Sequence, residues 1–432
     1  MLDLKLLRDD PAKAIQRLTL KGVTPEAVHD LLTVDERRRE CASRADDLKA
    51  RRNERSRNIG QVIKAGGDAE AERAAVRALG DEIAALDAEL RDIEADLERR
   101  LMWLPNYPHP ESPVGGEAQN AVRHQVGQKP EFTFTPKPHK ELGEKLGIFD
   151  FDRSAKLSGA GFSVLLGRGA ALQRGLIRWL IDLHVEHHGY REIYPPFLVN
   201  AATMTGTGQL PKMAEDMYRT AVDTDDLYLI PTAEVPVTNY FAGDMLPAAA
   251  LPVNFVAYTP CFRREAGSYG KDTTGLMRLH QFDKVEMVKF VEPGQSEAEH
   301  LKLLDNAEDC LRRLGLHYRV LDLATRDMSF AATRCFDLEV WAPGTGRYLE
   351  VSSCSNFTDF QARRANIRYR PADGSKPEFV HTLNASGLAL PRLMIAILEN
   401  GQQPDGSVLL PEALHATVGF DRLVPEPTAW RA

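Results

Sequence analysis

The strongest constraint on the fold is a repeat of apolar residues in the first quarter of the chain. Its members follow one another at alternating steps of three and four residues, at Val76, Leu79, Ile83, Leu86, Leu90, Ile93 and Leu97. A period of 3.5 residues keeps one apolar stripe along a helix, and that stripe is buried when a partner helix packs against it. The segment therefore predicts one leg of a coiled coil.

The segment before this repeat carries a weaker stripe that can form the second leg, at Leu31, Val34, Cys41, Ala45, Leu48, Ile59 and Val62. Between the two stripes stands Ala65-Gly66-Gly67-Asp68. The glycines permit a tight reversal, and Asp68 can cap the second helix. We therefore predict a long antiparallel hairpin over about residues 27–104, with legs of about 35 residues that extend roughly 50 Å.

The first leg contains a cluster of basic residues, opposed within it by Glu54: Lys49, Arg51, Arg52, Arg55 and Arg57. The whole chain has a formal net charge of −8, so binding to a polyanion would depend on such a local patch. From this stretch alone two interpretations stay open, a solvated helix face or a surface that contacts phosphates.

The hairpin ends at a segment rich in proline and glycine, which runs from Leu104-Pro105 through Pro108 and Pro110 to Gly115-Gly116. Such residues stop a helix and are typical of a connection between domains. At 432 residues the chain is long enough for two or three domains. We predict an N-terminal domain, a linker and a C-terminal domain over residues 1–104, 105–117 and 118–432.

The C-terminal part has a mixed pattern that predicts an α+β fold. Residues 167–188 have the pattern of an amphipathic helix, and the segments 228–230, 255–258, 284–290 and 336–341 have the pattern of strands. The sequence contains no GxGxxG and no GxxxxGK[ST] motif, so neither a Rossmann nor a P-loop nucleotide site is expected.

Several classes of protein are disfavoured by composition and spacing. No apolar run approaches the ~20 residues of a membrane helix, and the N-terminus lacks the pattern of a secretory signal, so a cytoplasmic location is expected. Five widely spaced cysteines without a CxxC pair predict reduced thiols. His184, His187 and His188 stand at helical spacing without a cysteine or acidic partner at ligand spacing, so we expect a solvated helix face and no zinc.

Three clusters combine arginines and carboxylates with strand patterns. The first runs from Arg263 and Glu265 to Phe282 and Glu286, the second contains Glu350 and Ser353, and the third contains Asn384, Ser386 and Arg392. Each alone has an ordinary explanation, such as a cross-strand ion pair, a surface carboxylate or a helix entry. Their combination in this order favours a functional site.

These clusters resemble the motifs of the class II aminoacyl-tRNA synthetases, and within that class the bacterial-type seryl-tRNA synthetases. The first and third clusters are similar to motifs 2 and 3, and the segment 167–196 is similar to motif 1, the usual dimer element. Thr232-Ala233-Glu234 and the segment 207–212 resemble seryl-type active-site loops, and the basic hairpin resembles the tRNA-binding arm. The resemblance covers essentially the whole chain and implies an antiparallel sheet flanked by helices, beside the coiled-coil hairpin.

For ATP, the resemblance implies the following roles. Arg263 would bridge the α-phosphate and the substrate carboxylate, because a guanidinium fork matches both oxyanions. Glu265 would contact adenine and Phe282 would stack on it. Glu350 and Ser353 would hold Mg²⁺ through oxygen ligands, and Arg392 would meet the terminal phosphate. The implied catalytic residues are therefore Arg263, Glu350 and Arg392.

For serine, the resemblance implies that Thr232 and Glu234 receive the ammonium group, beside the carboxylate-binding Arg263. Glu286 and Ser386, with Asn384 nearby, would surround the amino group and the hydroxyl. A site that hydrogen-bonds a hydroxyl rejects the analogue that lacks it, so alanine should be excluded, and threonine would be excluded by volume.

The implied activity is serine–tRNA ligation in a homodimer, with serine tRNA as the substrate and selenocysteine tRNA as a further candidate. The implied tRNA contacts are the long variable arm, bound by the basic hairpin residues, and the acceptor end. In the motif 2 loop the chain has Arg264 and Thr274 where the family often has serine and arginine.

The sequence disfavours three alternatives. A class II synthetase for threonine or proline would usually carry an anticodon-binding domain after motif 3, but only 32 residues follow Asn400. A truncated seryl-type enzyme that loads carrier proteins would lack the hairpin. A non-catalytic coiled-coil binding protein with an inactive synthetase domain would be favoured by loss of Arg263, Glu350 or Arg392, and all three are present.

Overall fold

The computed structural model describes residues 1–220, 226–266 and 275–425. The chain divides into two compact units, Met1–Pro105 and Asn106–Ala432. Thr274, at which the motif 2 loop departs from the family, lies outside the described residues.

The first unit is helical, with α1 (Leu4–Asp9), α2 (Pro11–Thr19), α3 (Pro25–Lys64) and α4 (Glu70–Met102). Thr24 starts α3, since its hydroxyl accepts a hydrogen bond from the amide of Ala27 at 3.4 Å. The reversal uses Gly66 at a φ of 76°, a conformation that favours glycine. The carboxylate of Asp68 accepts from the amide of Glu70, the first residue of α4, at 2.9 Å, but the N-cap position itself is occupied by Ala69 and not by Asp68.

The two predicted apolar stripes face each other between α3 and α4. Cys41 and Ala45 of α3 form one buried cluster with Leu86 and Ile93 of α4. Within the stripes, the most completely buried residues are Leu31, Cys41, Ala45, Leu79, Ile83, Leu86, Ile93 and Leu97. The predicted coiled-coil hairpin is confirmed.

The second unit is built on strands β1 (Ala121–Val126), β2 (Arg191–Glu192), β3 (Leu198–Asn200), β4 (Leu227–Leu229), β5 (Met245–Pro247), β6 (Val253–Phe262), β7 (Gln281–Val291), β8 (Tyr318–Asp322), β9 (Arg334–Ala342), β10 (Arg347–Thr358), β11 (Arg368–Arg370), β12 (Glu378–Phe379), β13 (His381–Ala389), β14 (Val408–Leu409) and β15 (Arg422–Leu423). Among the described residues, eight of them form the main sheet in the order β1-β8-β9-β10-β13-β7-β6-β2. Its neighbours are antiparallel except β2 and β6, which are parallel.

The helices of this unit are α5 (His139–Leu146), α6 (Phe151–Ser158), α7 (Gly167–Glu186), α8 (Ala201–Thr207), α9 (Glu234–Thr238), α10 (Ser296–Arg313), α11 (Phe360–Ala365), α12 (Leu390–Gly401) and α13 (Glu412–Val418). The main core contains Leu176 of α7, Leu303 of α10 and Ile397 of α12 together with apolar residues of the sheet. The predicted α+β fold, an antiparallel sheet flanked by helices, is confirmed.

Strand β7 shows how the sheet separates its core from its functional face. Val285 and Met287 lie in the main core beneath the helices. On the opposite face, Lys284 and Glu286 line a cavity, and Val288 belongs to a second apolar cluster. Successive side chains of a strand point to opposite faces, so one strand supplies both the core and the polar wall.

The segment predicted as a linker, residues 105–117, lies largely in the second unit. The amide of Asn106 donates to the carbonyl of Phe330 at 3.0 Å, and the amide of His109 donates to the carbonyl of Thr333 at 2.8 Å. The side-chain amide of Asn106 also donates to the carbonyl of Phe357 at 2.7 Å. The helix therefore ends before the prolines, and the backbone amides of Asn106 and His109 form hydrogen bonds within the second unit.

The expectation of a solvated face for the histidines near the end of α7 is wrong for two of them. His184 is fully buried, and burial, followed by the neighbouring His188, lowers the pKa of His184 to about 3. The ring of His188 lies 3.0 Å from the carboxylate of Asp309. The packing of α10 against this end of α7 supplied a partner that local spacing could not reveal.

All five cysteines are free and buried. Within the part of the chain that the structure describes, no cluster of three or more histidine, cysteine or acidic side chains could hold a metal ion. Over the same residues, no helix combines the length and apolar character needed to cross a bilayer.

Candidate active site

A cavity of about 400 Å³ is lined by residues of β7, β10 and β13 and of the segments beside them. Every residue predicted to bind serine or ATP lies in its wall: Thr232, Glu234, Arg263, Glu265, Phe282, Glu286, Glu350, Ser353, Asn384, Ser386 and Arg392. The three sequence clusters, which are separated by up to about 130 residues in the chain, therefore meet at one site.

The centre of the polar wall is Glu286, which is 1% exposed. Its carboxylate accepts from the side-chain amide of Asn384 at 2.8 Å and from the hydroxyl of Thr232 at 3.3 Å. Ser386 stands opposite Glu286 in the antiparallel pairing of β13 with β7. The adjacent strands β7 and β13 thus bring together Glu286, Asn384 and Ser386, and Thr232 joins them from the segment between β4 and α9.

Lys284 supplies the charge that compensates Glu286. Its ammonium forms an ion pair with the carboxylate of Glu286 and donates to the hydroxyl of Thr232 at 2.8 Å. All three side chains are buried. A buried carboxylate is tolerated when it is paired and hydrogen-bonded, as Glu286 is here.

Glu234 is a second buried carboxylate in the same wall, at 8% exposure. Burial, followed by the negative charge of Glu286, raises the pKa of Glu234 to about 7. The side-chain amide of Gln361 opposes this rise by donating to the Glu234 carboxylate at 2.6 Å. Two carboxylates in one enclosed wall favour a ligand that carries a positive charge.

Arg263 follows β6 and points into the cavity beside Phe282. Its guanidinium carbon lies 5.1 Å from the centre of the Phe282 ring, and its Nε donates to the carbonyl of Pro231 at 3.3 Å. Glu265 adopts a φ of 51° and forms an ion pair with Arg278 at 3.2 Å. This part of the wall offers an aromatic face and cationic groups.

A β-bulge aligns Glu350 with Ser353. Residues three apart in a regular strand point to opposite faces, but the pairing of β10 with β9 steps from Glu350 opposite Glu339 to Ser352 opposite Leu338. The extra residue, Val351, lies in the main core. Both Glu350 and Ser353 consequently line the cavity.

Arg392 closes this end of the cavity from the first turn of α12. Its guanidinium lies 3.1 Å from the carboxylate of Glu350 and donates to the Glu350 backbone carbonyl at 3.0 Å. Asp337 stands opposite Ser353 in the pairing of β9 with β10, and its pKa is raised by burial and then by the charge of Glu350. Carboxylate and hydroxyl oxygens gather here, next to a cation.

Family models and curated relatives cover the chain. The seryl-tRNA synthetase N-terminal domain matches residues 1–108, and the tRNA synthetase class II core domain (G, H, P, S and T) matches residues 218–401. A serine–tRNA ligase of Thermomicrobium roseum is 54% identical over 433 residues, covering 100% of this chain and 96% of that protein. The chain belongs to the seryl-tRNA synthetase family. A Geobacter sulfurreducens serine–tRNA ligase is 52% identical and covers 97% of this chain and 99% of its own length.

Solved structures of seryl-tRNA synthetases match over nearly the whole chain. The enzyme of Pyrococcus horikoshii, complexed with ATP, has a TM-score of 0.94 at 36% identity and covers 99% of this chain and 100% of its own. The cytoplasmic enzyme of Naegleria fowleri, in complex with AMP, has a TM-score of 0.89 at 26% identity, with 99% of each chain covered. The predicted family and class II fold are confirmed.

In this seryl-tRNA synthetase family member, the residues predicted to bind tRNA all lie on α3 in the first unit: Lys49, Arg51, Arg52, Arg55 and Arg57. Two of them also join the legs of the hairpin. Lys49 pairs with Asp87 at 2.8 Å, and Arg55 pairs with Glu72 at 3.1 Å. Arg51 and Arg57 are exposed.

The structure adds residues that the sequence motifs did not identify. Lys284 could have been found from its place in β7, two residues before Glu286 and on the same face. Gln361 had no such signal, because it stands 127 residues after Glu234 and belongs to the short helix α11. Arg278, the partner of Glu265, lies among the described residues 275–280, which belong to no helix or strand.

Proposed function

We propose that this chain activates L-serine with ATP, releases pyrophosphate and transfers the serine to the 3′ end of serine tRNA. The observation that carries the proposal is the cavity in which Glu286, Arg263 and Arg392 meet, within a chain of the seryl-tRNA synthetase family. The cavity offers acidic, cationic and aromatic surfaces, which suit an amino acid and a nucleotide.

Arg263 is proposed to hold the reacting groups. Its guanidinium would bridge the serine carboxylate and the α-phosphate, so that a carboxylate oxygen attacks phosphorus in line and the bond to pyrophosphate breaks. Phe282 would stack on adenine and Glu265 would contact its edge. Arg392 would meet the terminal phosphates, since its guanidinium lies beside Glu350, one of the proposed magnesium ligands.

The serine subsite is proposed at the buried carboxylates. Glu234 and Thr232 would receive the ammonium group, and Glu286, Asn384 and Ser386 would surround the amino group and the hydroxyl. The hydrogen bonds among Glu286, Asn384 and Thr232 hold these side chains in place without substrate. Such preorganisation supports discrimination against alanine of about 10⁴–10⁵, and the enclosed wall leaves threonine to be excluded by its additional methyl group.

The residues beside the bulge fit a magnesium ion. Glu350 offers a carboxylate and Ser353 a hydroxyl on the same face, and Mg²⁺ prefers such oxygen ligands together with substrate phosphates. Asp337 stands opposite Ser353 on the neighbouring strand, where it can orient the hydroxyl. When bound, Mg²⁺ would neutralise charge on the phosphates of ATP.

The hairpin is proposed to bind the long variable arm of serine tRNA, and the chain is proposed to act as a cytoplasmic homodimer. Arg51, Arg57 and the neighbouring basic residues of α3 supply phosphate contacts on a chain that is acidic overall. After activation, a hydroxyl of the terminal ribose would attack the carbonyl of the seryl-adenylate, and AMP would leave. Selenocysteine tRNA is the further candidate substrate.

Serine-dependent exchange of pyrophosphate into ATP tests the activation step. We expect exchange with serine to exceed that with alanine by about 10⁴ or more in kcat/KM, with threonine and glycine also far below serine. An Arg263→Ala variant should lose exchange and serves as the control for a contaminating synthetase. A preference for threonine would favour another class II synthetase, and absence of exchange with all four amino acids would favour a non-catalytic binding protein.

A further inference from the structure

Behind the serine subsite lies a fully buried amide that belongs to no sequence motif. Gln361 stands in α11, and its neighbours Thr207 and Thr382 are 1% exposed. Glu234 and Thr207 line the cavity, and Gln361 contacts both from behind the wall. One side chain thereby connects α8, α9, α11 and β13.

The contacts of Gln361 fix the orientation of its amide. The nitrogen donates to the backbone carbonyl of Thr207 at 3.2 Å and to the carboxylate of Glu234 at 2.6 Å. The oxygen accepts from the hydroxyl of Thr382 at 2.7 Å. A carbonyl can only accept, so the nitrogen must face Thr207, and a donor is thereby directed at Glu234.

We propose that Gln361 is a positioning residue that holds the carboxylate of Glu234 toward the substrate ammonium group. The inference rests on the proposed function, in which Glu234 receives that group. Each donor hydrogen of the amide has an acceptor, and the oxygen is held by Thr382, so Gln361 cannot rotate away without leaving a buried polar group unpaired. The carboxylate of Glu234 is therefore held by a rigid support.

Gln361 also affects the protonation of Glu234. Burial and the charge of Glu286 both favour protonation of Glu234, and the hydrogen bond from Gln361 opposes them. A protonated Glu234 would be neutral and could not pair with an ammonium group. Removal of Gln361 should therefore raise the pKa of Glu234 above about 7, so that less of the charged form is present at neutral pH.

The test compares Gln361→Met and Thr382→Val in the full-length chain by pyrophosphate exchange. Methionine matches glutamine in length but cannot donate, so we expect KM for serine to rise about 10–100-fold while KM for ATP changes by less than about 3-fold. Thr382→Val removes the hydrogen bond to the amide oxygen of Gln361 but keeps the amide itself, so KM for serine should rise by a smaller factor. It remains informative if Gln361→Met fails to fold.

The matched control is Gln402→Met. Gln402 is also buried and amide-bonded, since its nitrogen donates to the carbonyl of Glu399 at 2.8 Å and its oxygen accepts from the amide of Lys137 at 2.8 Å. Gln402 is not among the residues that line the cavity. This variant should lower thermal stability while KM for serine stays unchanged, which separates loss of a buried amide from loss of support for Glu234.

The pH dependence of kcat/KM for serine distinguishes the proposed role of Gln361 from a purely structural one, which would leave this pH dependence unchanged. In Gln361→Met the acid limb of kcat/KM for serine should shift to higher pH, because Glu234 then loses its proton at higher pH. The proposal would be overturned if the acid limb of kcat/KM for serine in Gln361→Met stays at the wild-type pH, or if KM for serine and KM for ATP rise equally.

Failure of the proposed function has a different signature, namely a wild-type chain without serine-dependent exchange. In that case, ¹³C NMR of labelled glutamate carboxyls, assigned with Glu234→Gln, still tests Gln361. An unchanged titration of Glu234 in Gln361→Met would overturn the inference whether or not the chain is catalytic.

Discussion

At the scale of single residues, the cavity wall contains two carboxylates whose hydrogen-bond partners carry different charges. Glu286 is paired with the ammonium of Lys284, whereas Glu234 is held by the neutral amide of Gln361. A neutral donor favours the charged carboxylate less than a cation does. Burial and the charge of Glu286 therefore outweigh the hydrogen bond from Gln361 and raise the pKa of Glu234 to about 7. In the proposed function the substrate ammonium supplies the missing positive charge.

This difference predicts a pH dependence for serine activation. The pKa of Glu234 is raised to about 7 in the free chain, and its charged form binds the ammonium group. The kcat/KM for serine should therefore fall as the pH drops below about 7 and level off above it.

Pyrophosphate exchange measured across the pH range provides the check, with Glu234→Gln as the control. Glu234→Gln should have a lower kcat/KM for serine than the wild-type chain, and this kcat/KM should not fall further as the pH drops below about 7. If kcat/KM of Glu234→Gln still falls below about pH 7, another group causes the fall, and the assignment of this pH dependence to Glu234 is contradicted.

The sequence could predict those site residues that stand in motifs, such as Arg263 and Arg392, because each motif is a continuous stretch. It could not predict Asp337, because the role of Asp337 depends on the register in which β9 pairs with β10. It could not predict Gln361, because the contacts of Gln361 join elements far apart in the chain. The buried state of His184 was missed for the same reason, since its environment depends on residues of α10 and β13.

At the scale of elements, the hairpin was predictable because its pattern is local. Seven apolar positions at heptad spacing define α4, and two glycines define the reversal. The bulge in β10 was not predictable, because a strand pattern does not show which residue will lack a partner. Yet that bulge decides whether Glu350 and Ser353 share a face, so the proposed magnesium site depends on a feature that only the paired strands reveal.

The hairpin also predicts a separation between tRNA binding and activation. Arg51 and Arg57 are exposed, while Lys49 and Arg55 pair with α4. Arg51→Glu with Arg57→Glu should therefore leave the hairpin folded. We expect KM for tRNA to rise about 10-fold or more, with serine-dependent exchange unchanged.

Steady-state charging at several salt concentrations measures this effect, and the salt dependence should weaken in the double variant as phosphate contacts are lost. Arg91→Glu, an exposed position on α4, is the matched control for added negative charge. Equal losses in the double variant and in Arg91→Glu would contradict a specific role for the basic cluster.

At the scale of the whole molecule, two units with different chemistry are joined in one chain. The first is a helical hairpin with a basic cluster, and the second is an antiparallel sheet whose polar face forms the cavity. Family models match both units separately, and relatives match them together over almost the full length. The combination supports a ligase that uses one unit for activation and both units for tRNA.

Charging of serine tRNA with radiolabelled serine, in the presence of ATP and Mg²⁺, tests this account most directly. The account predicts serine esterified to the 3′ end of serine tRNA, little or no charging of a transcript without the long variable arm, and none by the Arg263→Ala variant. Efficient charging of the transcript without the variable arm would contradict the role of the hairpin. Absence of charging by a folded chain that exchanges pyrophosphate with serine would contradict the central claim.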